Sequence, residues 1–258
     1  MLRIIKSFLF ATSKKILGSS LTRALHRIHK KSFIRTQKDD IQIIEKVLDF
    51  VTPGSLIIDV GANIGDWTIP LSKKTGEKGQ VIAFEPNKET VSVLKQRTKR
   101  LKNVKIKPLG LSDRDDQLEL LVPNEVSCPP TAAIANTANH LNAKEHMGKT
   151  LIQVRKLDQI VNELELKDIT FVKIDVEGHE LNVLKGFHKG IVKDTPTIFM
   201  EILKSKWVNN SPIQSECARY LTGLGYEMFQ YDAETKKFED KEKFNAQNVN
   251  FLFLPRTV

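Results

Sequence analysis

From residue 39 the chain alternates between two hydrophobic rhythms. Apolar residues at Ile41, Ile44, Val47 and Leu48 fall at helical spacing and predict a helix over Asp39 to Phe50, which "TPG" then breaks. Short apolar runs follow: "SLIIDV" (55–60), "QVIAFE" (80–85), "VKIKPL" (104–109), "ITFVKIDV" (169–176), "TIFMEI" (197–202), "YEMFQY" (226–231) and "VNFLFLP" (249–255) read as strands. Helical patterns over 66–74, 87–101, 179–187 and near 213–223 separate most of them. Strands alternating with helices predict βαβ units and a mostly parallel sheet with helices on both faces. No helical pattern separates the last two strands, which predicts an antiparallel hairpin at the sheet edge. "DQLELLV" (116–122) and "LIQVRKLD" (151–158) are added strand material around a connection, 123–150, rich in Pro, Ala, Asn and Thr. Connections that long usually serve as lids or stay disordered. There is no internal repeat and no sustained low-complexity tract.

Charge refines this picture because it is unevenly placed. The 258-residue chain carries a formal net charge of +9, but residues 1–38 hold ten Lys or Arg and no acid, leaving 30 basic against 31 acidic residues from 39 onward. The basicity belongs to the N-terminal segment, and a neutral body argues against a nucleic-acid partner. Ile4, Ile5, Phe8, Leu9, Ile16, Leu17, Leu21, Leu25 and Ile28 give that segment an amphipathic helical spacing. Its longest apolar run, Phe8 to Ala11, is far short of the roughly 20 residues needed to span a bilayer. The expectation is two parts: residues 1–38 as a basic amphipathic helical extension and 39–258 as the main domain. The extension suits a helical cap or a peripheral membrane contact, with a transit peptide or a solvated tail as alternatives. Cys128 and Cys217 are too few and too far apart for a disulfide or zinc framework, so a reducing, cytoplasmic compartment is the default.

The candidate chemistry lies at strand ends. "IIDVGANIG" puts Gly61 and Gly65 in the turn after the first strand, where backbone can come close to a ligand. Taken alone, such a turn is equally a packing feature. "AFEP" adds Glu85 at the end of the second strand, an acid able to accept two hydrogen bonds from a ribose diol. A pyrophosphate binder would show G-x-G-x-x-G. This turn instead follows an acid, Asp59, whose charge suits a cationic sulfonium, so S-adenosylmethionine is favoured over a dinucleotide.

"DVGANIGDWT", "VIAFEPNKETVSVLK", "PLGLSD", "VRKLDQI", "FVKIDVEGHELNVLKGF" and "VNFLFLP" occur in the order seen in FkbM-type S-adenosylmethionine-dependent methyltransferases, which the chain resembles over about residues 42 to 255. The resemblance implies a class I methyltransferase fold: an α/β Rossmann-like three-layer sandwich whose seven-stranded, mostly parallel sheet ends in a C-terminal antiparallel hairpin. It also implies O-methylation, commonly of sugar or polyketide hydroxyls. By the same resemblance Asp59, Gly61, Asn63 and Gly65 would surround the methionine part of S-adenosylmethionine. Glu85 would hold the ribose with Pro86 and Asn87 beside it, and Ser112 and Asp113 would lie near the adenine. Residues 1–38 fall outside the family pattern, and 123–150 matches it only loosely.

"FVKIDVEGHE" (171–180) is the candidate catalytic stretch. Asp175 closes the strand beside the cofactor turn and shares a face with Lys173. Asp175 is expected to touch cofactor or acceptor, with a helix cap as the alternative. Glu177 caps the helix or orients substrate. His179 is a candidate base, since its ordinary pKa is near neutral, although a histidine in a first helical turn is more often a solvated or structural residue. Glu180 and Lys185 are expected on the solvent face, and Lys173 is expected to pair with an acid. Asp175, Glu177 and Glu201 would suit a divalent cation if they converged, but metal is not expected. Trp207, His140 and His146 are weaker candidates for an acceptor pocket. The Asp/Asn-Pro-Pro-Tyr/Phe turn of many amino-group methylases is missing from this strand end, which counts against N-methylation of nucleic acid. The leading expectation is therefore an O-methyltransferase acting on a hydroxyl of a glycan or other small metabolite. An RNA methyltransferase using the basic segment would bind with steep salt dependence, and a membrane-surface scaffold with a vestigial pocket would bind no cofactor.

Overall fold

The structure, a computed structural model, describes residues 38–123, 133–134, 147–202, 206, 212, 215–232, 234–240 and 249–256. The basic extension apart from Lys38, most of the 123–150 connection, Cys128, His140, His146 and Trp207 lie outside the described residues.

The chain begins with helix α1 (Lys38–Val47), which tightens into a 3₁₀ turn over Leu48–Phe50. Five elements follow in strict alternation: β1 (Leu56–Val60), α2 (Thr68–Thr75), β2 (Gln80–Phe84), α3 (Lys88–Thr98) and β3 (Val104–Lys107). A second group comprises β4 (Gly110–Leu111), β5 (Asp116–Pro123), β6 (Ala133–Ile134) and β7 (Met147–Arg155). Alternation then resumes with α4 (Leu157–Glu163), β8 (Ile169–Ile174), α5 (Glu180–Gly186), α6 (His188–Asp194), β9 (Thr197–Glu201) and α7 (Glu216–Gly223). The described chain closes with β10 (Tyr226–Asp232), β11 (Lys237–Glu239) and β12 (Asn250–Pro255).

The main sheet has the order β11-β10-β12-β9-β8-β1-β2-β3, and β1, β2, β3, β8 and β9 are mutually parallel. Seven of the eight strands are those read from the sequence, and β11 is the addition. The expected antiparallel pairing of the last two read strands is present, with β11 added outside it. β12 pairs antiparallel with β9 on one side and β10 on the other, so the last strand is interior and β11 forms the edge.

Strand alternation divides the core between two helical layers, as a period of two residues requires. Ile58, Val60, Val172 and Ile174 face α4, α5, α6 and α7, while Ile57 and Phe171 face α1 and α2. The added strands do not join this sheet. They form a second one, β4-β7-β5-β6, in which β5 and β7 pair antiparallel from Asp116↔Val154 to Pro123↔Met147. Its core is Leu120, Ile152 and Val154. The helices α4 and α6 are not among those read from the sequence. Among the described residues no helix is long and apolar enough to cross a membrane.

Candidate active site

Strand order reverses between β1 and β8, the position where open α/β sheets bind ligands at their carboxyl ends. A cleft opens there, with ≈ 740 Å³ of empty space that includes its opening to solvent. Gly61, Asn63, Glu85, Pro86, Asp175, Glu177 and His179 all line it.

Glu85 is held by backbone from two turns. The Asn63 N–H donates to Oε2 at 3.0 Å, and the Asn87 N–H donates to Oε1 at 2.9 Å. Each carboxylate oxygen keeps a further lone pair, so the group is fixed in place and still able to accept from a ligand. Burial raises its pKa to about 7, against the pull of those two backbone donors. Asn63 adopts a left-handed φ of 49°, a conformation asparagine tolerates better than most residues, and its own Oδ1 accepts from the Ile64 N–H at 2.8 Å. Asn87 caps α3, its Oδ1 accepting from the N–H groups of Glu89 and Thr90.

Gly61 is required by packing rather than by a ligand alone. Its φ is 73°, and a Cβ there would sit 1.9 Å from the Asp175 carbonyl oxygen. The β1 turn and the β8 exit are thus pressed together, and the Asp175 N–H donates to Val60 O at 3.1 Å. Gly65 packs similarly against Leu94, away from the cleft lining.

Asp59 departs from the sequence expectation that its charge points into the pocket. It is fully buried on the α2 side, accepting from Thr68 Oγ1 at 2.6 Å, and Lys173 Nζ lies 3.6 Å from its Oδ1. Asp59 and Lys173 are register partners across β1 and β8, which puts both side chains on one face. Lys173 also donates to Gly61 O at 2.9 Å and lies 3.5 Å from Asp175 Oδ2. Burial opposes the ammonium charge, but Asp175 and Asp59 outweigh it and hold the Lys173 pKa above its ordinary value. Burial raises that of Asp59.

Asp175 is about one third exposed at the cleft. Glu177, with φ 55°, and Gly178, with φ 103°, carry the backbone from β8 toward α5. Two neighbours are buried, Glu180 against the expectation of a solvent face and His179 against the solvated alternative. Glu180 is enclosed, its Oε1 accepting from the Gly178 N–H at 2.7 Å, and burial raises its pKa. His179 precedes α5, is buried, and has Nε2 2.9 Å from Ser112 Oγ. Burial lowers its pKa to about 4. Lys185 is exposed as expected. Ser112 is buried and donates to Asp113 Oδ1 at 3.1 Å. Neither Ser112, Asp113 nor Asn87 belongs to the cleft lining. Among the described residues no group of three or more His, Cys, Asp or Glu side chains is arranged to hold a metal ion.

Sequence reasoning missed the opposite wall. Gly110, Leu111, Leu120, Ile152 and Val154, all from the second sheet, close the cleft with apolar surface. The two-residue periodicity of Leu118, Leu120 and Val122 and of Ile152 and Val154 carried the signal for one apolar face.

The family profile described as methyltransferase FkbM domain matches residues 59–228. The chain belongs to that family. The matched span is an S-adenosylmethionine-dependent methyltransferase domain. Among curated relatives, the hexuronic acid methyltransferase AglP of Haloferax volcanii is 32% identical over 155 residues, covering 59% of this chain and 58% of that protein. The 2-O-methyltransferase NoeI of Sinorhizobium fredii is 22% identical over 169 residues, covering 63% of this chain and 67% of that protein. The match to the first of these spans less than two thirds of the relative's length. A solved structure of a candidate O-methyltransferase from Klebsiella pneumoniae has the same fold, with a TM-score of 0.50 and 11% identity over 98% of this chain and 97% of that one.

Proposed function

We propose that this domain transfers a methyl group from S-adenosylmethionine to a hydroxyl of a sugar, a glycan or a related small metabolite. The observation that carries the reading is Glu85: a strand-end carboxylate fixed by two backbone donors, lining the cleft, with acceptor capacity left for a ribose diol. In this reading Gly61 and Asn63 bound the methionine end, and Pro86 flanks the ribose. Asp175, Glu177 and His179 form the acceptor side. Supporting the acceptor class, one relative is named for hexuronic acid and another for 2-O-methylation.

When bound, S-adenosylmethionine supplies an electrophilic methyl carbon on a cationic sulfur. The chain's own contribution is placement. Lys173 ties the Gly61 carbonyl to Asp175, so the cofactor turn and the acceptor-side acid move as one body. In-line approach at about 3 to 3.5 Å supplies much of the acceleration in such transfers. The apolar wall of Leu111, Leu120, Ile152 and Val154 excludes water from the opposite side. In the same reading, residues 39–258 form the catalytic domain, and residues 1–38 form a basic appendage suited to an anionic membrane surface.

Calorimetry with S-adenosylhomocysteine tests the cofactor half, and the expected result is saturable one-site binding. Incubation of glycan and metabolite extracts with methyl-labelled cofactor, read by mass spectrometry, tests the acceptor half. Label confined to RNA or protein amino groups would overturn it.

A further inference from the structure

Asp113, Ser112 and His179 form a hydrogen-bonded line that ends at the cleft. Ser112 Oγ lies 3.1 Å from Asp113 Oδ1 and 2.9 Å from His179 Nε2, and it has a single proton to give. An ionised carboxylate accepts only, and it accepts more strongly than a neutral imidazole. The hydroxyl proton therefore goes to Asp113. Nε2 must then carry a hydrogen and donate it to Oγ, which fixes the tautomer. Nδ1 is left with a bare lone pair. That atom is buried and has no hydrogen-bond partner among the described residues, while His179 itself lines the cleft beside Asp175 and Glu177. A buried acceptor without a donor is costly, so its place at a ligand cleft points to a donor supplied by the ligand. The line is braced by the fold. A Cβ on Gly186 would come within 2.0 Å of Ser112 O, so α5, which His179 opens, sits directly on the Ser112 backbone.

We propose that His179 Nδ1 receives the proton of the acceptor hydroxyl, and that Ser112 and Asp113 are positioning residues that set its tautomer. This rests on the methyl-transfer reading and moves Ser112 and Asp113 from the adenine to the acceptor side of the site. The step balances. A lone pair of the acceptor oxygen forms the C–O bond, the C–S pair returns to sulfur, and the O–H proton passes to Nδ1. The imidazolium then releases that proton to water. A weak base is sufficient, because the oxygen becomes strongly acidic as it gains the methyl carbon. The charged groups facing the ring are Asp113, which favours its protonation, and Arg114 and Lys206, which oppose it.

The test is long-range ¹H–¹⁵N NMR of full-length protein labelled with ¹⁵N-histidine, with the His179 signals assigned by their loss in His179→Gln. The expected wild-type spectrum has Nε2 protonated and Nδ1 bare. Ser112→Ala is expected to lose that preference, its two nitrogens moving toward averaged shifts, while S-adenosylhomocysteine affinity stays within about twofold of wild type. A wild-type Nδ1–H tautomer overturns the proposal and requires no variant to fold. A Ser112→Ala variant that keeps the tautomer and loses cofactor affinity overturns it too, returning Ser112 to the adenine side. Failure of wild type to bind S-adenosylhomocysteine would remove the methyl-transfer reading while leaving the tautomer result standing, so the two are separable.

Discussion

Asp59 and Lys173 are paired in register on adjacent parallel strands, both sealed from solvent, with Nζ 3.6 Å from Oδ1. Removing one partner of a buried pair strands the other charge. Lys173→Met is expected to destabilise the protein by about 3 to 5 kcal/mol, measured by urea unfolding. Asp59→Asn combined with Lys173→Met should recover a large part of that loss. A double variant no more stable than the single would show that the ammonium matters through the Gly61 carbonyl instead.

Glu85→Ala removes the carboxylate that faces the cleft. S-adenosylhomocysteine affinity should fall by about 1 to 3 kcal/mol, the range for losing a hydrogen bond to a charged group. Calorimetry at fixed pH reads this directly, and unchanged affinity would refute the ribose assignment.

The same residue should give the unliganded protein a pH signature. The folded-state pKa of Glu85, about 7, lies above the ordinary 4.5. Its contribution to stability is therefore fully present below about pH 4.5 and is lost as the pH rises through 7. Glu85→Gln should lack that decline. The stability difference between variant and wild type should shift in favour of the variant by about 3 kcal/mol between pH 4.5 and 8. His179, with a pKa lowered to about 4, works in the opposite sense, its contribution present above its ordinary 6.5 and lost as the pH falls through 4. Comparing the two proteins cancels that background. Parallel pH curves would contradict the assigned shift.

Gly61→Ala and Gly76→Ala separate crowding from backbone strain. Both glycines have positive φ, 73° and 72°, but an added Cβ meets the Asp175 carbonyl at Gly61 and nothing within 4 Å at Gly76. Gly76→Ala should cost about 1 to 3 kcal/mol, the conformational penalty alone at φ 72° and ψ −173°. Gly61→Ala should cost at least about 3 kcal/mol, because backbone must move. Equal losses in thermal unfolding would mean that the β1 turn can yield.

Much of this architecture was legible because the physics behind it is local. Short apolar runs gave β1, β2, β8 and β9, and acids at or beside their ends marked the open edge of the sheet. What stayed hidden depended on distant partners. Nothing in "SLIIDV" says that Asp59 will meet Lys173, since the two are brought together by strand pairing across more than a hundred residues. A helix start is usually exposed, yet the His179 ring is buried against Ser112 and the Glu180 carboxylate turns back onto the Gly178 N–H, neither of which the local pattern reveals. The antiparallel pairing of β10 and β12 was legible from the lack of a helix between them, but not that β12 passes inside β10. Of the candidate site residues, seven line one cleft, whereas Asp59, Gly65, Asn87, Ser112 and Asp113 do not.

The interior position of β12 also bears on the order in which the molecule can assemble as it is made. Every described residue that lines the cleft lies between Val60 and His179. β10 and β11 reach the rest of the main sheet only through β12. A ribosome that has released the chain through β9 has therefore delivered all five parallel strands and every described residue that lines the cleft. Among the described strands, the two beyond have only each other to pair with until residues 250–255 emerge to fasten them. The half of the protein that bears the cleft can take shape first, and the last strand out then locks the sheet.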